Sequence, residues 1–430
     1  MKLNNKSKFR FWVVIFFYFL LSCKSADKEK DLVDLDFFRN QGKKIILSNH
    51  YELANYLEVN KVNKFKYILN EYPQNYDIFL EKKIQKNKLI DLNKLIKSNI
   101  LYNKEGIIFI DENNNLIFID YNFKQIKKIS FIKNKKKINL NFYINFDGKN
   151  IVVATSDGRI FLLNFNTEEV LWNINLGVPV VSEVIFFKDN IYFMNSNSKI
   201  YSINSISGSV NWSYETVSEN FKSKNTYYLK IIDNILVFSN DNADLVAIDI
   251  QKNFIIWSIN LRDFSLINHG GLFEIQDIIE TNKNLYISTN TNGFFKIDLF
   301  SGSVFLKKNF SMQTTPLLYK NFIFFITKSN FFICFDEKSN QIVFSKNLNI
   351  FLKSKNIKEL SFSNIILMSN SFYLTSKNSS IAIKISLSNL NSLKLINLKK
   401  SLNKNFFIFN KNIFFTDNKN KLNKIFINDN

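Results

Sequence analysis

The chain has 430 residues, of which 46% are hydrophobic and 16% are aromatic, and its formal net charge is +20. This apolar content excludes a wholly disordered chain and is sufficient for a large core. A positive charge of this size is typical of proteins that bind nucleic acid or an anionic membrane. The lysines, however, are spread along the whole sequence. Their tightest cluster, Lys133 with Lys135, Lys136 and Lys137, lies between two strand-like runs. We interpret it as a solvated loop and predict no nucleic-acid partner.

The N-terminus carries an export signal. Lysines and Arg10 precede an apolar run over residues 11–21, which is too short to span a bilayer, since a span needs about 20 residues. The run ends in Leu20-Leu21-Ser22-Cys23 and resembles a bacterial lipoprotein box; the alternative is a signal anchor with an incidental cysteine. The pattern predicts a signal peptide over residues 1–22 and acylation of Cys23. The residue directly after Cys23 is Lys24 and not Asp. We therefore expect a lipid anchor in the outer membrane, on its periplasmic side.

Two short regions follow the signal. Residues 23–75 are charged and show no repeat, so we expect a lipidated tether with irregular structure. Apolar residues in the stretch 88–99 have a spacing that fits a short helix or, equally, an elaborated loop. The two cysteines and two histidines of the chain do not fit a disulfide framework or a zinc site. The sequence therefore predicts no metal and no cofactor.

A repeated unit dominates the chain from about residue 100. One copy runs from Gly158 to Asn164 and is followed by Trp172, and the next runs from Ser198 to Asn204 and is followed by Trp212. The copies open at residues 116, 160, 200, 245, 294, 332, 382 and 422, in steps of 44, 40, 45, 49, 38, 50 and 40 residues. Each unit is long enough for four short strands, and a period of roughly 40–45 residues is typical of β-propellers.

Each unit has the chemistry of a hairpin. A strand ends in Asp or Asn, a turn often contains Ser-Gly, and a second strand ends in Trp or, at Phe344, in another large aromatic. The aromatic side chain can pack between neighbouring sheets, and closing the units into a ring leaves only short sheet edges. We therefore predict an all-β, eight-bladed propeller of four-stranded antiparallel blades over residues 76–430. The last unit lacks room for a fourth strand, which we expect from an early segment such as Ile78–Ile84. A β-helix is the alternative, but its coils are shorter than these units.

The turn motif also carries a family resemblance. Asn204-Ser205-Ile206-Ser207-Gly208 ending in Trp212, and Asp298-Leu299-Phe300-Ser301-Gly302, resemble the repeat of pyrroloquinoline-quinone-type propellers. With a lipoprotein box and eight units, the chain is similar to the BamB family of outer-membrane assembly lipoproteins. The resemblance implies a scaffold in the β-barrel assembly (BAM) machinery, with the periplasmic domains of BamA and other BAM subunits as partners.

Two segments resemble the family's long inter-blade loops, which dock BamA. The first runs from Trp212 to Tyr228 and the second from Arg262 to Asp277-Ile278. The resemblance implies Phe221, Lys222 and Lys224 as apolar and basic contacts in the first loop, and Asp277 as the acidic contact in the second. The first loop lacks the family's Leu/Arg/Gly pattern, and Ile275 stands where a second acidic residue is expected. The alternative for each residue is an ordinary exposed loop position.

An enzyme is the main functional rival, because quinoprotein dehydrogenases share the repeat. Such enzymes need a cofactor pocket, a calcium ion and an Asp base. Asp120, Asp249, Asp298 and Asp336 recur at the same point of successive units, so turn structure explains them better than catalysis. The sequence therefore predicts a non-enzymatic chain with no catalytic residues and no small-molecule substrate. A different periplasmic propeller lipoprotein with an unknown partner remains the second alternative.

Overall fold

The computed structural model describes residues 76–77, 89–132, 140–216, 227–264 and 275–426, with short gaps between residues 227 and 426. The gaps are residues 241, 282, 291–292, 320, 359, 369–370, 388, 403–405 and 410–411. The predicted signal peptide over residues 1–22, the lipidation site Cys23 and the predicted tether over residues 23–75 lie outside the described residues. Within the described part of the chain, no helix is long and apolar enough to cross a membrane.

Nearly all regular structure in the described residues is β-strand. In chain order the strands are β1 (Tyr76–Asp77), β2 (Leu89–Leu95), β3 (Leu101–Tyr102), β4 (Ile107–Ile110), β5 (Asn115–Ile119), β6 (Gln125–Ser130), β7 (Phe142–Phe146), β8 (Asn150–Thr155), β9 (Arg159–Asn164), β10 (Val170–Asn175), β11 (Ile185–Phe187), β12 (Asn190–Met194), β13 (Lys199–Asn204), β14 (Val210–Glu215), β15 (Leu229–Ile232), β16 (Ile235–Ser239) and β17 (Asp244–Asp249). The second half of the chain contributes β18 (Phe254–Asn260), β19 (Ile275–Glu280), β20 (Asn284–Thr289), β21 (Phe294–Asp298), β22 (Val304–Lys308), β23 (Leu317–Tyr319), β24 (Phe322–Ile326), β25 (Phe331–Asp336), β26 (Gln341–Asn347), β27 (Phe362–Met368), β28 (Ser371–Ser376), β29 (Ile381–Ser386), β30 (Leu393–Asn397), β31 (Phe406–Phe409), β32 (Asn412–Thr416) and β33 (Lys421–Phe426). A 3₁₀ turn covers Leu261–Phe264, and the helix α1 covers Leu348–Ser354.

The strands form eight sheets, which confirms the predicted eight-bladed propeller. Blades 1 to 7 begin at β3, β7, β11, β15, β19, β23 and β27, and each uses four consecutive antiparallel strands. In blades 1 to 4 the first strands of neighbouring blades contact one another, as β3 and β7 do, so these strands lie nearest the axis. The fourth strands have mostly exposed or half-buried residues, as in β10 and β14. Blade 7 also carries β1, which pairs in parallel with the innermost strand β27.

Blade 8 joins the two ends of the chain. Its sheet order is β2-β33-β32-β31, with Leu89 opposite Ile425 and Asp91 opposite Asn423. An early strand therefore closes the ring, and it is Leu89–Leu95, whereas Ile78–Ile84 lies outside the described residues. Neither the helix nor the loop predicted for residues 88–99 forms, because the free edge of β33 offers this segment a full set of backbone partners.

The repeat found in the sequence is the outer hairpin of each blade. All eight opening positions fall in the third strand, from residue 116 in β5 to residue 422 in β33. The Asp or Asn that ends this strand folds the following turn: Oδ1 of Asn204 accepts hydrogen bonds from the backbone N–H groups of Ile206 and Ser207 at 2.9 and 3.0 Å. Asp298 does the same for Phe300 and Ser301. This is the Asx-turn geometry that the composition indicates.

Two tryptophans each form a hydrogen bond to the next blade in the ring. Trp172 Nε1 in blade 2 donates to the carbonyl of Ser205 in blade 3 at 2.9 Å, and its ring lies over Gly208. Trp257 Nε1 in blade 4 donates to Leu299 O in blade 5 at 2.8 Å. A Cβ at Gly302, whose φ is +70°, would lie 2.8 Å from the Trp257 ring. The predicted packing of aromatics between neighbouring sheets is confirmed.

Alanine at Gly302 tests this blade-to-blade contact. We expect Gly302→Ala to lower the free energy of unfolding by about 1–2 kcal/mol through backbone strain and by about 1–3 kcal/mol more through overpacking against Trp257. Gly177→Ala is the matched control, because Gly177 has φ +67° with no atom within 4 Å of the new Cβ. Equal losses in the two variants, measured by denaturant unfolding, would show that the ring contact adds nothing.

Candidate functional site

Strand direction sorts the connections of the ring onto two faces. Because neighbouring strands in a blade are antiparallel, the connections between second and third strands share one face with those leading to the next blade. We call this the loop face, and the opposite face the turn face. The turn face holds the connections between first and second and between third and fourth strands. The connections that lead from one blade to the next lie on the loop face.

Both predicted docking loops are neighbours on the loop face. The first joins β14 to β15, and the second joins β18 to β19, so they flank blade 4. Residues 217–226 and 265–274 lie outside the described residues, and with them Phe221, Lys222 and Lys224. The lysine cluster at residues 133–137 belongs to another loop-face connection, between β6 and β7, and is also outside the described part.

Asp277 lies in a strand rather than in the predicted loop. It belongs to β19, where it pairs with Ser288 after a register shift that separates it from Ile275, and its side chain is half-buried. The second loop therefore ends before Ile275, because the segment from there to Glu280 forms the inner strand of blade 5. A role for Asp277 in partner binding stays a prediction.

The bases of both loops are fixed by hydrogen bonds. Thr216, at the start of the first loop, donates its backbone N–H to Ser198 O at 3.1 Å and accepts from Asn240 Nδ2 at 2.9 Å. At the start of the second loop, Arg262 Nη1 donates to Asn242 Oδ1 at 3.3 Å. Turns of blades 3 and 4 therefore hold the loop bases in defined positions.

A charge pair joins the two strands that follow the loops. Lys230 Nζ in β15 lies 3.1 Å from Glu280 Oε1 in β19, and these side chains are only 8% and 21% exposed. Tyr228, at the end of the first loop, donates its hydroxyl to Glu280 Oε2 at 3.4 Å. The pair links the innermost strands of blades 4 and 5, and the sequence contained no motif that marked it.

Glu183 adds a third charge to this group from blade 3. Enclosure by the surrounding protein raises the pKa of Glu183, Lys230 acts to lower it, and Glu280 acts to raise it. The side chain keeps contact with solvent, so the enclosure removes only part of its hydration. Glu183, Lys230 and Glu280 therefore form an interacting group of charges on blades 3 to 5.

The recurring aspartates are occupied in turns. Oδ1 of Asp120 accepts hydrogen bonds from the backbone N–H groups of Asn122 and Lys124. Oδ1 of Asp249, Asp298 and Asp336 likewise accepts from the backbone N–H two residues further along the chain. This structural role agrees with the interpretation made from the sequence. Among the described residues, no three His, Cys, Asp or Glu side chains are grouped so that they could hold a metal ion.

Comparison with known proteins supports the family resemblance. The family model of the outer membrane protein assembly factor BamB matches residues 133–346, and the crystal structure of BamB from Moraxella catarrhalis is similar with a TM-score of 0.62. The chain is a BamB-like β-propeller. That structure is 13% identical over 79% of this chain and 98% of the Moraxella chain. No curated protein sequence matches the chain significantly.

Other propellers share the fold of this BamB-like chain. Sqt1 from Saccharomyces cerevisiae has a TM-score of 0.59 at 9% identity, over 80% of this chain and 98% of Sqt1. The computationally designed Ika8 protein has a TM-score of 0.56 at 9% identity, over 83% of this chain and 100% of Ika8. At such identities these likenesses concern the architecture only.

Replacing Lys230 tests whether its charge pair supports the loop bases. We expect Lys230→Met to lower the free energy of unfolding by about 3 kcal/mol, because it leaves Glu280 largely buried without its cation. The double variant Lys230→Met/Glu280→Met should recover most of this loss, since an apolar pair removes both charges together. Denaturant unfolding of the four proteins in this cycle measures the coupling, and additive losses would contradict it.

Proposed function

We propose that the chain is a non-catalytic scaffold lipoprotein of the outer-membrane BAM machinery that docks the periplasmic domains of BamA and so assists barrel folding and insertion. The observation that carries the proposal is the match of residues 133–346 to the BamB family. The matched range contains both loops to which the family resemblance assigns BamA contacts. The positions of these loops, side by side on the loop face, support a single docking surface.

The mechanism we propose is orientation by a rigid ring. Each loop begins and ends on strands that are tied into blades 3, 4 and 5, so the sheets set the positions of its two ends. Such a ring presents two neighbouring segments without itself changing shape, and it can thereby fix the orientation of BamA. Mixed charge in the loops steers association more than it holds the complex.

The first loop should contribute most of the contact. We expect the triple variant Phe221→Ala/Lys222→Glu/Lys224→Glu to weaken binding to the purified BamA periplasmic domains at least about tenfold, which is the size of effect expected for an anchor residue with flanking charges. The melting temperature should stay unchanged, because these residues lie outside the blade strands. Calorimetric titration measures the affinity.

A matched control places the same charge change on the opposite face. Lys149→Glu/Lys252→Glu alters two exposed lysines of the turn face and should leave BamA binding unchanged. Asp277→Lys, which alters a half-buried strand residue, is informative only if its melting temperature equals that of the wild type. Capture of other envelope proteins by the mature chain, without BamA, would favour the alternative of a propeller lipoprotein with a different partner.

Acylation of Cys23 is the proposed anchor in the outer membrane. We expect Cys23→Ser to abolish incorporation of labelled palmitate and to shift the protein out of the outer-membrane fraction, since stable attachment requires the acyl chains. Cys334→Ser is the control, because Cys334 is buried in blade 6 and its replacement should leave both readouts unchanged. Palmitate incorporation that persists in Cys23→Ser would contradict the proposed site.

A further inference from the structure

Four connections on the loop face of blades 6 to 8 carry a group of exposed lysines. The connections are residues 348–361, which include α1, and residues 377–380, 398–405 and 417–420. Their exposed charged side chains, among the described residues, are Lys353, Lys355, Lys358, Lys377, Lys399 and Lys419. These lysines are far apart in sequence, but the antiparallel strands bring them to one face.

Hydrogen bonds that extend the strand pairing of blade 7 hold three of these connections side by side. Lys377 donates its backbone N–H to Ser361 O at 2.7 Å, which joins the second strand-to-strand turn of blade 7 to the connection from blade 6. Leu398 donates to Ser380 O at 2.8 Å and joins the same turn to the connection that leads to blade 8. Lys400 Nζ donates to Asp417 Oδ2 at 3.2 Å and joins the connection to blade 8 to the turn 417–420. The exposed lysines of the four connections therefore form one basic arc across three blades.

Few acidic residues lie in the described part of these four connections. Asp417 is the acidic residue in the described part of the four connections, and it is buried. Burial acts to raise the pKa of Asp417, but hydrogen bonds from the backbone of Lys421, from Lys400 Nζ and from the backbone of Lys419 lower it below its usual value. Its charge is thus used within the protein. Beyond the described residues, the sequence adds one acidic residue, Glu359, and one basic residue, Lys404.

The opposite face of the same blades has a different charge. In the described turn-face connections of blades 6 to 8, the charged residues are Glu337 and Lys338, and Asp77, Asp336 and Lys394 lie on the strands beside these connections. Outside the described residues, Lys320 and Lys411 also fall in turn-face connections. Among the described connections of these blades, the loop face therefore carries the larger positive charge.

We propose that the basic arc seats on an anionic lipid surface. Lysine ammonium groups attract the phosphates of anionic headgroups. Ile350, on α1 among these lysines, is 69% exposed and can enter the acyl boundary of a lipid layer, as apolar residues of interfacial helices do.

The same surface fits nucleic acid less well. Unpaired bases bind to proteins by stacking on exposed aromatic rings. In the described part of the loop face of blades 6 to 8, the exposed large hydrophobic residues are Leu95 and Ile350, and both are aliphatic. The short α1 is an additional difference from the longer helices that enter the major groove. Lipid is therefore the occupant that the side chains favour.

The basic arc and the proposed BamA docking loops occupy different sectors of the ring. The loops flank blade 4, whereas the arc covers blades 6 to 8. Lipid contact therefore does not depend on BamA docking, and either proposal can fail without the other.

Lysine acetylation of the full-length chain on vesicles tests the proposal. We expect the arc lysines to react about fivefold more slowly on vesicles of phosphatidylcholine with phosphatidylglycerol than on phosphatidylcholine alone, the factor that corresponds to about 1 kcal/mol for one lysine near an anionic surface. Lys149, Lys252 and Lys338, on the turn face, should react equally on both. About 0.5 M salt should remove the protection, because it screens charges beyond a few ångströms.

Two triple variants with the same change in net charge distinguish lipid binding through the basic arc from a general effect of protein charge. The first variant combines Lys353→Glu, Lys358→Glu and Lys377→Glu, and the second combines Lys149→Glu, Lys252→Glu and Lys338→Glu. We expect the first to lose protection of the remaining arc lysines Lys355, Lys399 and Lys419, and the second to keep it. Equal protection in both variants, equal protection of both faces, or stronger protection by single-stranded RNA than by anionic vesicles would overturn the proposal.

Discussion

The contact on which the ring depends is the seating of one blade's aromatic side chain on the outer turn of the next blade. Trp172 and Trp257 each donate an indole hydrogen bond to a turn carbonyl and lie over a glycine with positive φ. The contact requires an Asx residue that folds the turn and a glycine that leaves room for the aromatic ring. It also requires a large aromatic residue on the fourth strand of each blade, at a fixed distance in sequence after the turn. Phe344 serves blade 6 in a related way, because it packs in one cluster with Leu387 and Leu390 of blade 7.

These requirements explain why the sequence predicted the fold well. Each element of the contact leaves a residue type at a fixed spacing, so eight imperfect copies indicate eight blades. The closing strand was harder, because the apolar spacing of Leu89–Leu95 fits a helix. What decides its conformation is the unpaired edge of β33, about three hundred residues away in sequence, and local periodicity contains no information about such a partner.

The candidate site, like the fold, could be predicted from the sequence only in part. The two loops and their order could be found from the family resemblance, and the structure places their bases on one face. The pair of Lys230 with Glu280 could not be found, because its members have ordinary neighbours in sequence and meet only across two blades. The basic arc was missed for the same reason. Its lysines are spread along the chain, and antiparallel strands collect them on one face.

Closure by β2 and β33 has a consequence for how the protein is made. The last blade joins β2 to β33, which is far away along the chain, so the ring can be completed only after β33 has been synthesised. Contacts of such long sequence separation form slowly. A chain that is exported unfolded would therefore cross the membrane before its ring can close, and the loss of β33 would leave an open arc of blades with exposed sheet edges.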